Sequence, residues 1–333
     1  MKITLFGTQP YDRESFDRIR DAYGFDVTYH RSHLNAGNVA LAEGADVVCI
    51  FVNDTADAAT VARLSQLGVR LIALRCAGFN NVDLLSAAQH GIPVVRVPAY
   101  SPHAVAEHAV ALMLSLNRKI HRAYWRTRDG NFSLHGLLGF DLYGKTAGIV
   151  GTGRIARELI RILRGFGMEV IAYDLCPDEA YAAAAGIAYV PLDELYARAD
   201  IVSLHCPLTD RTRYMIGPEA IGRMKPGVML INTGRGQLVH TGSLSDGLKQ
   251  KKIGSAGLDV YEEEAAYFYE DTSDRIMSDD VLARLLSFNN VIVTSHQGFF
   301  TREALDNIAR TTMENIREFA AGEPLTNRVS AGA

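Results

Sequence analysis

Residues 146–174, TAGIVGTGRIARELIRILRGFGMEVIAYD, constrain the fold of this chain more than any other segment. An apolar run at 146–150 predicts a strand, which leads directly into the loop Gly151-Thr152-Gly153-Arg154-Ile155-Ala156. A helical pattern of apolar residues follows, and a second apolar strand ends at Asp174. A lone G-x-G-x-x-G pattern is weak evidence, but strand, loop, helix, strand and acidic residue in this order are typical of a dinucleotide-binding βαβ unit.

The small residues of this loop each have a physical reason. Gly151 permits the tight turn off the strand, and Gly153 has no Cβ to keep a pyrophosphate away from the backbone. Ala156 is small enough for the helix to pack on the sheet. The helix N-terminus offers unpaired N–H groups to phosphates. Asp174, about 20 residues further on, is expected to accept hydrogen bonds from ribose hydroxyls, which favours NAD over NADP.

The overall composition is that of a globular protein with about two domains. The chain has 333 residues, of which 48% are hydrophobic and 22% charged. The net charge of −4 gives no reason to expect nucleic acid or a membrane surface as a partner. The four cysteines are scattered without metal-ligand spacing, and the first residues lack the pattern of a signal peptide. We therefore expect a cytoplasmic protein without a metal site.

Strand and helix patterns alternate before the glycine-rich loop. Strands are predicted at 2–6, 25–29, 46–51, 70–75 and 93–97, and helices between them at 13–22, 57–67 and 82–89. This alternation predicts a small parallel sheet. Ser101 as N-cap and Pro102 as first helical residue then predict one long helix over about 102–122.

A second array of strands and helices continues after Asp174. Strands are predicted at 200–204, 228–232, 253–258 and 291–294, and helices near 193–197, 218–224 and 241–251. A last helix over 301–320 would most simply pack back on the first domain. The prediction is an α/β chain with two doubly wound parallel sheets. Its first domain is discontinuous, residues 1–100 plus 299–333, and residues 101–298 bind the dinucleotide.

Residues of three catalytic types follow three predicted strands of the second domain. Interconversion of a 2-hydroxy acid and a 2-keto acid needs an Arg that binds the carboxylate and a His that exchanges a proton near neutral pH. The His usually needs a carboxylate that orients it and favours its protonated form. Arg235, the glutamates 262–264 and His296 each follow one of these strands. The carboxyl ends of such strands meet at the crevice where ligands bind.

Each of these residues also has an ordinary structural interpretation. An Arg in a glycine-flanked turn and a run of glutamates are usually solvated, and a single His after a strand is more often structural. All three types after three strands of a nucleotide fold are hard to explain by chance, although the residues alone do not choose among Glu262, Glu263 and Glu264. His205 is expected beside the cofactor, and His103 and His108 near a cleft. The histidines interpreted as surface residues are His30, His33, His90, His121, His135 and His240.

Several further segments resemble one protein family. They are IALRCAGFNN at 72–81, VPAY at 97–100, YGKT at 143–146, SLHCPL at 203–208 and DVYE at 259–262. With the glycine-rich loop, they resemble the D-isomer-specific 2-hydroxyacid dehydrogenases over about residues 2 to 328, and within that family the bacterial fermentative D-lactate dehydrogenases. The resemblance implies a flavodoxin-like substrate domain, a Rossmann domain and NAD as cofactor.

The resemblance also implies roles for individual residues. Arg235 would bind the substrate carboxylate, His296 would be the acid/base, and the pattern D-V-Y-E-x-E selects Glu264 as the partner of His296. Asp259 would help to set the protonation of the site. Implied cofactor contacts are Gly151, Gly153, Arg154, Ile155, Asp174, His205, Cys206, Pro207, Thr212, Thr233, Gly234, Arg235 and Asp259. Implied substrate contacts are Phe51, Ala77, Gly78, Tyr100, Arg235, His296 and Phe299.

The expected activity is NADH-dependent reduction of pyruvate to D-lactate. The aromatic residues Phe51, Phe299 and Phe300 suit a substrate methyl group, and no second basic residue is evident to hold a phosphate. The alternatives are another D-2-hydroxyacid dehydrogenase, of the 2-hydroxyisocaproate or glycerate type, or a nucleotide-sensing protein like the corepressors of this fold. Members of the family are homodimers or homotetramers. The apolar loop 123–143, with Leu134 and Leu138, suits such an interface.

Overall fold

The computed structural model describes residues 1–264 and 267–330. The chain divides into two compact units: the first holds Met1–Ser101 and the chain from Phe300 onward, and the second holds Pro102–Phe299. Residues 331–333, which the sequence analysis assigns to the first domain, lie outside the described part. Among the described helices none is long and apolar enough to cross a membrane.

The elements are numbered in chain order. The strands are β1 (Lys2–Leu5), β2 (Asp26–Tyr29), β3 (Val47–Ile50), β4 (Leu71–Leu74), β5 (Val94–Val95), β6 (Thr146–Val150), β7 (Glu169–Tyr173), β8 (Ala188–Tyr189), β9 (Ile201–Leu204), β10 (Val228–Asn232), β11 (Ile253–Leu258), β12 (Val291–Val293) and β13 (Arg328–Val329). The helices are α1 (Pro10–Arg20), α2 (Ala58–Gln66), α3 (Leu84–Gln89), α4 (Pro102–Arg118), α5 (Ile120–Arg128), α6 (Arg154–Gly165), α7 (Glu179–Ala185), α8 (Leu192–Arg198), α9 (Pro218–Arg223), α10 (Thr241–Lys249), α11 (Asp280–Leu286) and α12 (Arg302–Ala320). Short 3₁₀ helices span Val39–Ala42 and Gly236–Leu238.

The sheet of the first unit has the order β2-β1-β3-β4-β5-β13. Its first five strands are parallel in the flavodoxin-like order, as predicted. The prediction of a purely parallel sheet is wrong at one edge, where β13 pairs antiparallel with β5. A strand of two residues has too few side chains to show an alternating pattern, so its sequence did not reveal it.

The last long helix packs within the first unit. Thr301 begins α12 as its N-cap, its hydroxyl accepting a hydrogen bond from the N–H of Ala304 at 3.2 Å. One face of α12 buries Ala309, Met313 and Ile316 in the same apolar cluster as β1, β3 and β4. A second apolar cluster covers the opposite face of the sheet. The central strands β3 and β4 are therefore buried on both sides.

The sheet of the second unit is entirely parallel, with the order β8-β7-β6-β9-β10-β11-β12. This is the Rossmann order 3-2-1-4-5-6 with a seventh strand at the end, and it confirms the predicted fold class. Apolar clusters cover both faces. The sequence analysis did not predict α7, β8 or α11, which are short elements with weak periodicity.

The predicted single helix over 102–122 is wrong at its C-terminal end. Lys119 adopts a left-handed conformation with φ 51°, which separates α4 from α5. The amide of Asn117 donates to the carbonyl of Phe140 at 2.7 Å and accepts from the N–H of Phe140 at 2.8 Å. These contacts with a segment 23 residues away occupy the end of α4. The break is therefore tertiary in origin.

The register of the second sheet brings the loops of interest together. Val150 of β6 lies beside Tyr173 of β7 and Leu204 of β9. Further along the same sheet, the ends of β10, β11 and β12 are aligned in the same way. Since all these strands are parallel, the loops that follow them leave the same edge. One group of loops carries the glycine-rich segment, and the other carries the predicted catalytic residues.

Candidate active site

A cavity of about 450 Å³ lies where the loops after β6, β7 and β9 meet. Predicted cofactor residues that line it are Gly151, Gly153, Asp174, His205, Cys206, Pro207 and Thr212. Arg154 and Ile155 begin the adjacent helix α6. The sequence analysis missed Leu175, Leu192 and Met215, whose apolar side chains also line the cavity.

The glycine-rich loop leaves room for a phosphate group. Gly151 has φ +90°, and a Cβ there would lie 2.8 Å from the backbone N of Cys206. A Cβ on Gly153 would meet no protein atom within 4 Å, so the missing side chain leaves open space rather than protein packing. Gly153 is also the N-cap of α6 and gives it no side-chain cap. The first N–H groups of α6 are thus available to a phosphate.

Asp174 is held by hydrogen bonds from its own neighbours. Its Oδ2 accepts from the N–H of Thr152 at 2.7 Å and from its hydroxyl at 2.8 Å, and its Oδ1 accepts from the N–H of Cys176 at 3.0 Å. Burial opposes the charge, but these hydrogen bonds outweigh it and lower the pKa of the carboxyl. Asp174 is therefore a fixed anion at the cavity, which suits ribose hydroxyls and repels a phosphate.

His205 and Cys206 line the cavity as uncharged groups. Burial lowers the pKa of His205 to about 4, and its Nε2 lies 2.8 Å from the hydroxyl of Ser203. Burial raises the pKa of the Cys206 thiol to about 11, which makes it a poor nucleophile near neutral pH. Neither side chain adds charge beside a bound dinucleotide.

The donor set of the second unit fits NAD. The open space at Gly153 and the uncapped start of α6 suit the pyrophosphate, and Asp174 suits a ribose. Thr233, another predicted cofactor contact, has a buried hydroxyl with no hydrogen-bond partner among the described residues. A buried hydroxyl of this kind is expected to have a partner, which a bound cofactor would supply.

His296 contacts Glu264 at the edge of the sheet where β11 and β12 end. The distance from His296 Nδ1 to Glu264 Oε1 is 2.9 Å, and both side chains are partly buried. The other oxygen of Glu264 accepts from the N–H of Tyr261 at 3.0 Å. Within the described residues Nε2 of His296 has no hydrogen-bond partner. The carboxylate thus orients the ring and leaves Nε2 for a ligand.

Only one of the three consecutive glutamates is in this position. Glu262 instead accepts a hydrogen bond from the N–H of Thr241 at 2.8 Å, at the start of α10. Of the three, Glu264 is the residue whose carboxylate reaches the imidazole.

Asp259 holds the loop that carries His296. It is 1% exposed, and its carboxylate accepts hydrogen bonds from the N–H groups of Gln297 at 2.9 Å and Gly298 at 2.8 Å. Its carbonyl accepts from the N–H of His296 at 2.7 Å. This turn places His296 in the left-handed region, with φ 53°. Asp259 therefore points to the loop of His296 and is not among the residues that line the cavity.

His108 and Thr294 complete the environment of Asp259. The carboxylate accepts from the hydroxyl of Thr294 at 2.6 Å, and Nε2 of His108 lies 3.2 Å away. Burial opposes the charge on Asp259, but hydrogen bonds from His108 and Thr294 outweigh it and lower the pKa of its carboxyl. The sequence analysis anticipated neither this pairing of His108 nor the hydroxyl of Tyr269, which donates to the carbonyl of His296 at 3.1 Å. No local pattern signals either contact.

Arg235 follows β10 in a loop that is pressed against the loop after β11. A Cβ on the next residue, Gly236, would overlap the backbone carbonyl group of Tyr261, so only glycine fits there. The guanidinium of Arg235 donates to the carbonyl of Gly234 at 2.8 Å, and no carboxylate in the described residues forms an ion pair with it. Its remaining donors can bind a carboxylate ligand.

The first unit carries four of the predicted substrate residues. Phe51 directly follows β3, Ala77 and Gly78 follow β4, and Tyr100 precedes the end of this unit. The N–H groups of Ala77 and Gly78 donate no hydrogen bond within the described residues. The carbonyl of Tyr100 accepts from the amide of Asn307 at 2.8 Å.

Arg75, which no sequence pattern singled out, contacts the ring of Phe51. It is 1% exposed and donates to the carbonyls of Phe6 at 3.0 Å and Gly7 at 2.8 Å, with its guanidinium 4.9 Å from the ring centroid of Phe51. The only available signal was an arginine directly after an apolar strand. Of the other predicted aromatic residues, Phe299 is buried and Phe300 is exposed.

Comparisons with known proteins show which proteins this chain is similar to. The family model described as "D-isomer specific 2-hydroxyacid dehydrogenase, NAD binding domain" matches residues 110–298. A 2-hydroxyacid dehydrogenase homolog of Haemophilus influenzae is 50% identical over 329 residues, covering 99% of both chains. The D-lactate dehydrogenase of Escherichia coli is 47% identical over 329 residues, covering 99% of this chain and all of that protein. The solved structure of the pyruvate reductase of Chlamydomonas reinhardtii has a TM-score of 0.93 at 46% identity, covering 98% of both chains.

Proposed function

The chain belongs to the D-isomer specific 2-hydroxyacid dehydrogenase family and is an NAD-dependent dehydrogenase, and we propose that it reduces pyruvate to D-lactate with NADH. The observation that carries the proposal is the contact of His296 with Glu264 at 2.9 Å, on loops next to the one that holds Arg235. This arrangement supplies a cation for a carboxylate and an oriented acid/base, which are the two groups that the reaction requires.

The residues divide the reaction between them. Arg235 binds and orients the substrate carboxylate through its free N–H donors. Nε2 of His296 donates a proton to the carbonyl oxygen of the substrate, and Glu264 stabilises the protonated ring before transfer. When bound, the reduced nicotinamide of NADH supplies the hydride. In the opposite direction His296 must be neutral, because it then accepts the proton of the hydroxyl.

The substrate assignment rests on residue chemistry. The proposed substrate contacts are Phe51, Ala77, Gly78, Tyr100 and Phe300 in the first unit, and Phe299 in the second. Aromatic side chains suit a methyl group and disfavour a phosphate, which would need a further cation. The D-lactate dehydrogenase at 47% identity and the pyruvate reductase at 46% identity support pyruvate as substrate.

A steady-state assay with a panel of 2-keto acids tests this proposal. Pyruvate, 2-ketoisocaproate, hydroxypyruvate and phosphohydroxypyruvate are compared by kcat/KM with NADH, and the product is resolved on a chiral column. We expect pyruvate to be preferred and D-lactate to be the product. A larger kcat/KM for another member of the panel, or L-lactate as the product, would overturn the assignment. No turnover at all, with NADH binding intact, would indicate a nucleotide-sensing protein.

Two histidine variants separate catalysis from general damage. His296→Gln removes the acid/base and is expected to lower kcat by about 10²- to 10⁴-fold. His240→Gln is the matched control, because His240 is an exposed N-cap of α10. The control should retain kcat within about twofold. Equal loss in both variants would contradict the role assigned to His296.

We further propose that the chain forms a homodimer or homotetramer through α5 and the segment that follows it. Trp125, Leu134 and Leu138 are 65%, 82% and 88% exposed, which is unusual for large apolar side chains. The guanidinium of Arg126 donates to the carbonyls of Ser133 at 3.0 Å and His135 at 2.8 Å and links the two parts of this surface. Sedimentation should give a dimer or tetramer that Leu134→Glu weakens, and a monomeric unmutated chain would exclude it.

A further inference from the structure

A partly buried chain of hydroxyl groups leads to Asp174. Thr152 stands between the two glycines of the loop and is among the residues that line the cavity, with 5% of the residue exposed. Its Oγ1 is 2.8 Å from Oδ2 of Asp174 and 2.9 Å from the hydroxyl oxygen of Tyr189. Tyr189 belongs to β8, a strand that the sequence analysis did not predict.

The chemistry of the three groups fixes the direction of these hydrogen bonds. An ionised carboxylate can only accept, and a threonine hydroxyl has one hydrogen to donate. The hydroxyl of Thr152 must therefore donate to Asp174. It has no hydrogen left for Tyr189, so Tyr189 must donate to Thr152. The result is a one-way chain from Tyr189 through Thr152 to the carboxylate.

This chain accounts for much of the hydrogen-bonding capacity of Asp174. A carboxylate has about four acceptor positions. The N–H and hydroxyl of Thr152 occupy Oδ2, and the N–H of Cys176 occupies one position on Oδ1. The backbone N–H of Leu175 also lies near the carboxylate, so at most one acceptor position, on Oδ1, is left for a ligand. Rotation of the carboxyl would break the three existing hydrogen bonds at once.

We propose that Thr152 and Tyr189 are positioning residues that fix the Asp174 carboxylate and thereby set the preference for NAD over NADP. The inference rests on the proposed contact of Asp174 with the ribose. A carboxylate that cannot rotate keeps its free acceptor aimed at a ribose hydroxyl. It also cannot turn away from a 2′-phosphate, so the electrostatic repulsion of NADPH is retained in full.

Binding measurements without pyruvate test this proposal. Dissociation constants of NADH and NADPH are measured by fluorescence titration for the unmutated protein and for Thr152→Val. Valine keeps the shape and the backbone N–H but removes the hydroxyl. We expect NADH to bind about 2- to 10-fold more weakly, as for the loss of one hydrogen bond. NADPH should bind equally well or better. The ratio of the dissociation constant of NADPH to that of NADH should therefore fall at least as much as NADH binding weakens.

Three further variants show whether the hydroxyl chain is responsible. Thr152→Ser keeps the hydroxyl and should restore the ratio. Tyr189→Phe should also lower the ratio of dissociation constants, by a smaller factor. It tests the hydroxyl chain independently if Thr152→Val fails to fold. Tyr181→Phe is the matched control. The hydroxyl of Tyr181 donates to a backbone carbonyl at 3.4 Å and takes no part in the hydroxyl chain. It should leave the ratio unchanged.

A double-mutant cycle with Asp174→Ala decides the outcome. Without the carboxylate, Thr152→Val should have no further effect on the ratio. The positioning role would be overturned if Asp174→Ala lowers the ratio of dissociation constants while Thr152→Val and Tyr189→Phe leave it unchanged. If Asp174→Ala itself leaves the ratio unchanged, the ribose contact is wrong instead. Failure to reduce pyruvate concerns the proposed reaction alone, because these titrations contain no substrate.

Discussion

Replacing Glu264 by Gln removes the charge beside His296 and keeps the shape of the side chain. Pyruvate reduction needs the protonated imidazole, and D-lactate oxidation needs the neutral one. The carboxylate, with its Oε1 2.9 Å from Nδ1, stabilises the protonated ring. Glu264→Gln should therefore lower kcat for pyruvate reduction, which uses the protonated ring.

The size of the effect on kcat follows from the separation and the exposure of the pair. Two charges about 4 Å apart interact by about 1 kcal/mol in bulk water and by about 4 kcal/mol at an effective dielectric constant of about 20. The side chains of His296 and Glu264 are 17% and 23% exposed, so water reaches both. We expect a value near the lower limit. About 1.4 kcal/mol corresponds to a factor of ten in rate, and kcat for pyruvate reduction should fall about tenfold.

The assay measures kcat for pyruvate reduction with Glu264→Gln and with Glu262→Gln. Glu262 is the matched control, because its carboxylate accepts from the N–H of Thr241 and does not reach His296. The control variant should keep its kcat, although its thermal stability can change. If Glu262→Gln or Glu263→Gln lowers kcat while Glu264→Gln leaves it unchanged, the partner of His296 has been assigned wrongly.

Three other perturbations test separate parts of the structure. Arg235→Lys should raise KM for pyruvate at least tenfold, because an ammonium cannot form the paired hydrogen bonds of a guanidinium, and an unchanged KM would refute carboxylate binding by Arg235. Gly236→Ala should lower the free energy of unfolding, measured with denaturant, by about 1–3 kcal/mol, because its Cβ would overlap the backbone of Tyr261. Gly222→Ala is the control and should not destabilise the protein, because a Cβ there meets nothing within 4 Å. His205 has a pKa of about 4 when folded, against an ordinary value of 6.5, so its unfolded form binds the proton first and stability should fall as pH drops from about 6.5 towards 4. His205→Gln should flatten this slope, and an unchanged slope would exclude His205 as its source.

Patterns within short segments were enough to predict most of the fold. The glycine-rich loop needs its neighbours in sequence only, because the turn, the phosphate-sized space and the helix start all lie within residues 150–156. Strands buried on both faces appear as continuous apolar runs, as in β3 and β4, and their alternation with helices predicts parallel sheets. The return of α12 to the first unit followed from its position after the last strand.

Contacts between distant segments decided what the sequence alone left open. The choice of Glu264 over its two neighbours depends on which side chain the loop after β11 turns toward His296, 32 residues away. Similarly, α4 ends where Asn117 forms a hydrogen bond with Phe140, and β13 forms because it pairs with β5.

The sequence by itself therefore determined the class of fold and the cofactor, since these depend on local conformation and composition. The tertiary structure alone decided which carboxylate reaches His296, how Asp259 holds its loop, and how Thr152 and Tyr189 lock Asp174. The physical reason is the short range of hydrogen bonds. A contact of about 3 Å requires both partners to be placed by packing, which no local pattern specifies.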